Sequence, residues 1–588
     1  MDRTAWIVVA LCVIGLVLWE FYLAKQIAPK PAPVSVAPGR PSPTAAPAIL
    51  APSPSPTPVA EAAPGRAPTP SFTEKIETLR NSDVELRLTN RGGGIKQAVL
   101  LKQSAEKGQH VVLNSDQSAP IGAILEQPST PTLPEFTASA QSDSVQFERT
   151  TAEQVAIRKK FFFEKSPENK DNYVIEMDVD LENRGDKPYQ SGGYFVALGS
   201  AAPIHPRDYP SYTRLVWCAN CGGWIAAGAK GIDVGWFASS GGFLGLGQHA
   251  ARPSYQENLA GAEWVAVSNQ FFTTLIAPLT ATLAGKDVDP WKANSVWARR
   301  FDFEYAPDQK LAGIEGALGL PGFQLRPGQT YSARFEIYAG PKLYHRLAQL
   351  PHNEAEVMDF GMFKVVCQFL LNFMNLLHSW LRDYGLAILA LTTIIKLTLW
   401  PIQNKANRSM RHMAALSPKV QELRDKYKDD PTRMNQEMMK LYKQYGINPV
   451  GGCLPMMIQI PIFFGLFKML GQAVELRNAK FLWVRDLSQP DTIAHLPMLG
   501  WPINIIPLCM AATQIWLMAM TPKTGDPTQR RVMMFTPLIF LFICYNFAAA
   551  LALYYTAQNL FSILQFYQNK RQPTPTLEKV APAGKRKR

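Results

Sequence analysis

Residues 532–569 carry no charged side chain, 38 positions in succession. As one helix this run would be about 57 Å long at 1.5 Å per residue, against a hydrocarbon core of about 30 Å. It must fold back on itself, and Phe547-Ala548-Ala549 is the natural place to divide it into two short spans. Three other stretches are almost as bare. Residues 444–467 and 496–522 have no charge, and 384–404 has only Lys396. Near the start, 4–19 is uncharged and the apolar stretch continues past Glu20 to Ala24. A cleaved signal peptide competes with a retained anchor there. Its apolar core would be unusually long and Glu20 stands where a cleavage site is small and neutral, so the anchor fits better. The expectation is six spans.

Charge sets their orientation. Segments 403–450, 521–531 and 568–588 carry net charges of +5, +2 and +6, the whole of the chain's excess of +13. Basic loops between apolar spans mark the cytoplasmic side, which puts both termini inside and weakens nucleic acid as a general ligand. With 47% hydrophobic and 18% charged residues, the 588-residue chain is too apolar to be disordered and too long for one domain.

The parts follow in order. An anchor at 1–28 leads into 29–70, which holds 14 of the 47 prolines and reads as an extended spacer. Residues 71–357 read as a large antiparallel β-sandwich ending in helices. Val84–Leu88 alternates, Gly92-Gly93-Gly94 forms a turn, and Tyr173–Leu181, Trp264–Ile276 and Tyr331–Tyr338 are alternating, β-branched or aromatic runs. Residues 358–383 form an amphipathic helix. Phe363, Val366, Leu370, Phe373, Leu377 and Trp380 line one face, and Lys364, Gln368, Asn372, Asn375 and Ser379 the other. It is expected to lie flat in the outer interface, with a packed helix of the β domain as the competing reading. Then come the second span (384–402), a cytoplasmic helical hairpin (403–450), the third span (451–472), a periplasmic loop (473–495), the fourth span (496–520), a cytoplasmic loop (521–531), spans at 532–548 and 549–568, and a basic tail (569–588). In the hairpin, Met410, Met413, Leu416, Val420, Leu423 and Tyr427 make one seam, and Met434, Met438, Leu441 and Tyr445 the other. Asp430-Pro431 is a good start for its second helix.

Little in the chain suggests catalysis. There is no H-E-x-x-H motif, no P-loop and no nucleophile–base arrangement, so no enzyme activity, metal or cofactor is expected. Cys218-Ala219-Asn220-Cys221 has no second Cys pair for zinc and is followed by Gly222-Gly223 rather than a helix. A structural disulfide is the default in an oxidising compartment. The remaining cysteines lie in apolar runs. Lys396 is the anomaly. A cation within a span is costly and faces protein or water, and Thr392 and Gln403 share its face. Yet it lies about 9 Å from the inner end of its span, so a snorkelling stem explains it equally well. Gln459, Asn504, Gln514, Asn546, Gln558 and Asn559 add amides to the other spans. A hydrated interior and simple interhelical bonding both account for them.

Several stretches resemble the YidC/Oxa family of membrane protein insertases in its large Gram-negative form. They are Asn448–Pro455 (NPVGGCLP), Gln459–Phe463 (QIPIF), Val474–Arg477 (VELR), Phe481–Leu487 (FLWVRDL), Leu553-Tyr554-Tyr555 and Asn559-Leu560. The order of parts matches as well. The resemblance implies a five-helix core around a hydrophilic groove open to cytoplasm and lipid and closed outside. It implies a non-enzymatic insertase and chaperone for inner-membrane proteins, acting alone or beside the Sec translocon. Lys396 would attract acidic residues of a substrate, and Thr392, Gln459 and Tyr555 would offer hydrogen bonds. Ribosomes and targeting factors would meet Lys419, Arg424, Lys428 and Arg433 on the hairpin, and Lys585, Arg586, Lys587 and Arg588 on the tail; a plain solvated coiled-coil face is the other reading of the hairpin. The family usually has Arg where Lys396 stands, which favours a general charge over a two-point salt bridge. It often has Pro and Gly where Phe547 is followed by three alanines, and Cys218–Cys221 is not expected from it. Two other classes remain. A solute transporter with Lys396 as anion site lacks paired inverted repeats and gives the hairpin no role. A receptor whose β domain binds an outer ligand would leave the spans passive.

Overall fold

The structure is a computed structural model. It describes residues 72–570 apart from 106–107, 131, 165–172, 220, 222–227, 240–248, 289–290, 307–308, 429, 448–453, 497–499 and 521–526. The expected anchor, the spacer and nearly all of the basic tail therefore lie outside the described residues. The described residues divide into two compact units, with the boundary between Gly340 and Pro341.

The first unit is β. Its largest sheet has ten strands. The path runs from Lys230–Asp233 through Arg214–Cys218, Trp264–Ser268, Phe272–Leu283, Thr330–Pro341, Val174–Asn183, Val155–Phe163 and Ser144–Thr150 to Thr137–Ala140. A five-stranded sheet, with Ala293–Ala306 and Gln309–Leu320 at its centre, packs against it. Among the described residues, the strand pairings that build both sheets, such as Arg214–Cys218 with Trp264–Ser268 and Ala293–Ala306 with Gln309–Leu320, are antiparallel. Gly316 marks a close approach between the two sheets: a Cβ there would lie 2.7 Å from Leu215 Cδ1 and 2.9 Å from Val267 Cγ1. Bare backbone at this point lets the two inner faces meet. The run expected as one strand at Trp264–Ile276 is a hairpin instead. Asn269 Oδ1 accepts hydrogen bonds from the backbone N–H groups of Phe271 and Phe272, an Asx turn that reverses the chain inside an apolar stretch.

Lys159 ties two turns of this unit together. Its side chain is fully buried, and Nζ donates to Gly92 O at 2.6 Å and Gly122 O at 3.3 Å. Both glycines have positive φ, 74° and 79°. The ammonium also lies 4.7 Å from the centroid of the Phe136 ring. The sequence, in which Lys159 is one basic residue of an alternating strand, gives no sign of this.

The second unit is mostly helical. It contains α1 (Lys364–Leu381), α2 (Tyr384–Lys426), α3 (Pro431–Gln444), α4 (Leu454–Leu470), α5 (Ile505–Met520), α6 (Pro527–Cys544) and α7 (Ala549–Lys570). Among the described residues, α2 alone is long and apolar enough to cross a membrane by length and composition. Residues 458–470 of α4, and α5, are shorter apolar helices. Residues 341–357, expected as the end of the β domain, belong to this helical unit.

Three more expectations are modified. First, α2 runs unbroken for 43 residues through Pro401 and Pro418, so the second span and the first arm of the hairpin are one helix. Its start is capped by Asp383, whose Oδ1 accepts from Leu386 N at 2.8 Å. Second, α5 begins at Ile505. The preceding Thr492–His495 and Pro502–Asn504 pair antiparallel, so residues 502–504, expected in the fourth span, are strand and not helix. Third, α1 has two apolar sides. Cys367, Leu370, Leu371, Met374 and Leu377 are buried, while Val365, Phe369, Leu376 and Trp380 are exposed. It packs on α2 and α4. Gly465 permits the second contact, since a Cβ there would come 2.8 Å from Val366 Cγ1. Of the face expected to be polar, Asn375 is turned inward and donates to Glu475 Oε1 at 3.3 Å.

The buried Lys159 should give the β unit a pH-dependent stability. Burial pushes its ammonium down to about 7. Between that value and the unfolded lysine's 10.5, the unfolded chain holds a proton that the folded chain lacks. Stability therefore rises with pH in this window, by up to about 1.4 kcal/mol per unit for one proton. Urea unfolding of the full chain in detergent, followed by β-sheet circular dichroism at pH 7.5 and 9, should show this slope. Lys159→Met should lose it.

Candidate functional site

Of the polar side chains buried in the helical unit, Gln558, Asn559, Gln565 and Asn569 lie on one helix, α7. Along it, Tyr554, Gln558, Ser562, Gln565 and Asn569 recur at steps of three and four and form one stripe. Each arm of the stripe meets a partner. Ser562 Oγ accepts from Lys396 Nζ at 2.8 Å, and Gln403 Oε1 takes a weaker bond from the same ammonium at 3.4 Å. Lower on the same seam, Gln565 Nε2 donates to Asn404 Oδ1 at 2.8 Å and to Trp400 O at 3.3 Å, and Asn569 Nδ2 donates to Asn404 Oδ1 at 3.2 Å. Arg411 Nη1 closes the series on Asn569 O at 2.7 Å, a cation at the C-terminal end of α7, where the helix dipole favours one.

Lys396 is 3% exposed. Its head is held by protein groups of α2 and α7. In this conformation it does not snorkel to the surface. Thr392, one turn earlier, is buried too, but its hydroxyl donates to Ile388 O at 2.7 Å in its own helix. Gln459 on α4 reaches α7, donating to Gln558 Oε1 at 3.1 Å and to the Tyr554 hydroxyl at 3.4 Å. Tyr555 points elsewhere. Its ring packs against Phe463, Phe540 and Tyr554 at centroid distances of 5.4, 5.2 and 5.3 Å. Tyr554, one position earlier, is the tyrosine that joins the polar seam. On the third side Asn559 Nδ2 donates to Met510 O and Thr513 Oγ1 of α5, at 3.3 and 3.2 Å. Thus α7 is the hub through which α2, α4 and α5 are hydrogen-bonded.

The hairpin residues are arranged differently. Asp430 Oδ1 accepts from Arg433 N at 2.9 Å, which caps α3 with Pro431 in its first turn. Lys419 donates to the Tyr445 hydroxyl across the hairpin and lies over that ring. The Arg433 guanidinium lies 5.6 Å from the Tyr427 ring centroid, and exposed Lys428 pairs with Asp425 at 3.4 Å. Arg424 is half-buried. Lys585, Arg586, Lys587 and Arg588 lie outside the described residues. Cys218 and Cys221 are joined as a disulfide in the β unit. Among the described residues no group of three or more His, Cys, Asp and Glu side chains could hold a metal ion.

Two family profiles match the chain in tandem. One, described as the YidC periplasmic domain, covers residues 77–373, and the other, described as the 60Kd inner membrane protein, covers 376–575. The chain belongs to the YidC family. A membrane protein insertase YidC of Syntrophobacter fumaroxidans is 36% identical over 312 residues, 52% of this chain and 53% of the relative. One of Maridesulfovibrio salexigens is 31% identical over 419 residues, 68% and 67% of the two chains. The match to the first of these spans about half of that relative's length. A crystal structure of an active YidC insertase with its first transmembrane domain resolved aligns over 85% of this chain and 95% of its own, at 17% identity and a TM-score of 0.33. In YidC terms the chain is a periplasmic β-rich domain followed by an inner-membrane module. The two profiles meet at 373–376, within α1.

Within that module the sequence reading singled out Lys396 and Gln459 but missed Ser562, Gln565, Asn569 and Asn404. The signal was present in the three- and four-residue spacing along α7. The seam predicts a measurable cost. Replacing Asn404 by Leu removes the shared acceptor of two nearly buried amides, at about 1–3 kcal/mol for each group left unsatisfied. Thermal unfolding of the purified chain in detergent should show Asn404→Leu clearly destabilised, and Asn404→Asp, which keeps the acceptor, much less so.

Proposed function

We propose that the chain is an insertase and chaperone for inner-membrane proteins, without enzymatic activity. The observation that carries this reading is Lys396: a cation within the apolar first part of α2, held among the described residues by Ser562 and Gln403 through neutral hydrogen bonds. No carboxylate is among these partners, so its charge is left available to a substrate. The names of the curated relatives support the same reading. Lys396 attracts an acidic segment of the arriving protein, and the amides on α7 and Gln459 replace water for its backbone and side chains. The apolar part of the substrate then leaves sideways into lipid. Thr392 and Tyr555 line the same core in this reading, Tyr555 through its ring. For a substrate to reach Lys396, which is nearly covered in the structure, α2 and α7 must part along their hydrogen-bonded seam. That opening makes the cytoplasm-facing groove.

The reading includes six spans with both termini in the cytoplasm and the β domain in the periplasm. The hairpin and basic tail would meet ribosomes and targeting factors, and some substrates would arrive from the Sec translocon. Exposed Lys428 and Arg433 suit such contacts, whereas Lys419 is already engaged within the hairpin.

Two measurements test this. Reporter fusions after residues 350, 425, 485 and 588 should read outside, inside, outside and inside. An outside reading at 425 would overturn the topology, because α2 would then cross in the opposite sense. The second measurement is protease protection of a single-span substrate inserted into vesicles containing the purified chain. Lys396→Arg should support insertion, and Lys396→Ala and Lys396→Glu should impair it, most for substrates with acidic translocated segments. Two charges 4 Å apart interact by about 4 kcal/mol at an effective dielectric of about 20, enough to alter a crossing step by orders of magnitude. Wild-type insertion of acidic and neutral substrates alike by Lys396→Ala would sink the charge mechanism.

A further inference from the structure

The loop between α4 and α5 makes a tight two-residue turn at Leu482-Trp483. Phe481 N donates to Val484 O at 3.0 Å and Val484 N to Phe481 O at 2.8 Å. In such turns the first central residue adopts positive φ, and glycine or asparagine normally occupies it. Here it is a leucine at φ 52°, with its side chain 75% exposed. The backbone thus holds a large apolar side chain outward in a conformation that disfavours it. A turn selected only to reverse the chain in water would have neither property.

The surroundings add to this. Trp483 is half exposed, and its indole Nε1 donates to Asp491 Oδ2 at 3.1 Å. The same oxygen accepts from Ile506 N in the first turn of α5 at 2.8 Å. Asp491 therefore fastens the turn to the start of α5 and to the small hairpin before it. That hairpin exposes three apolar side chains of its own, Ile493, Leu496 and Trp501. On the other side, the Phe481 ring sits on Gly385 at the start of α2, where a Cβ would lie 2.1 Å from it. The turn is thus fixed level with the ends of two helices, α2 and α5. Exposed Lys480 and Arg485 flank it.

We propose that this turn and the adjoining hairpin dip into the outer leaflet at the boundary between headgroups and acyl chains. Leu482, Ile493 and Leu496 enter the apolar layer. Trp483 and Trp501 sit at the interface, where tryptophan is favoured, and Lys480 and Arg485 meet lipid phosphates. Burial in lipid offsets the backbone cost at Leu482, as water could not. The loop then fixes the depth of the helical unit in the bilayer from the outside. This inference rests on the span assignment proposed above, which places the ends of α2 and α5 that meet the turn at the outer face.

Photocrosslinking of the full chain tests it. A p-benzoylphenylalanine is placed at position 482, at 542 on α6, where Phe542 is 85% exposed, or at 137 on an exposed strand of the β unit. Each protein is reconstituted in vesicles of phosphatidylethanolamine and phosphatidylglycerol containing radiolabelled lipid. The expected result is lipid adducts at 482 at a yield within about threefold of that at 542, and at least tenfold above that at 137. Lipid adducts at 542 but not at 482 would overturn the loop proposal and leave the span assignment standing. Adducts at neither position would overturn both. Adducts at 482 to a second protein chain in place of lipid would overturn it in favour of a protein-docking surface.

Discussion

A lysine ammonium inside an apolar helix must be given hydrogen-bond acceptors by the protein, because lipid supplies none. That requirement organises the helical unit. Ser562 lies opposite Lys396 only if α7 presents the face that also carries Gln558, Gln565 and Asn569. Once that face is turned toward α2, Gln558 can reach Gln459 on α4 and Asn559 can reach α5. The rotation of α7 satisfies these polar contacts while Leu551 and Ile563 are buried and Leu560 and Leu564 stay exposed. Interhelical hydrogen bonds of this kind are individually modest, about 1 kcal/mol or less. A seam built of them can hold its register and still come apart.

The two units solve the same problem in different ways. In the β unit, pairing between strands satisfies the backbone and two sheets bury a continuous apolar layer. Among the described residues, its deeply buried lysine, Lys159, is clamped by two carbonyl groups and a ring face and serves to join turns. In the helical unit Lys396 is held more loosely, by a hydroxyl and a long bond to an amide. The looser hold suits the opening that the proposed function requires.

The amount of this that could be read from the sequence differs from element to element. The cap at Asp430-Pro431, the Cys218–Cys221 pair and the break in the long uncharged run were legible because each is a local rule. α6 ends at Cys544 and α7 starts at Ala549, on either side of Phe547. The hairpin at Trp264–Ile276 was not legible, because one asparagine turned the chain without any glycine or proline to announce it. Tyr554 and Tyr555 could not be told apart, since adjacent residues on a helix differ by 100° and only the neighbours decide which one faces Gln459. Ser562 was hidden for a similar reason. A serine in an apolar helix ordinarily bonds its own preceding turn, as Thr392 does and as Ser562 does to Gln558 O, so its added role as acceptor for Lys396 depends on where α2 comes to rest.

The beginning of α7 carries one more consequence. The first N–H groups of a helix lack partners within it. Here Ala549 N and Ala550 N donate to Gln489 O and Leu487 O, at 2.9 and 3.0 Å, so the loop between α4 and α5 supplies what the helix cannot. The same loop carries the turn seated on Gly385. The start of α7 is therefore tied to the loop between α4 and α5. If its lower end swings away from α2, the loop must tilt with it or surrender two backbone hydrogen bonds. Motion at one end of α7 would thus become strain at the other, with Tyr545 to Ala548 as the pivot.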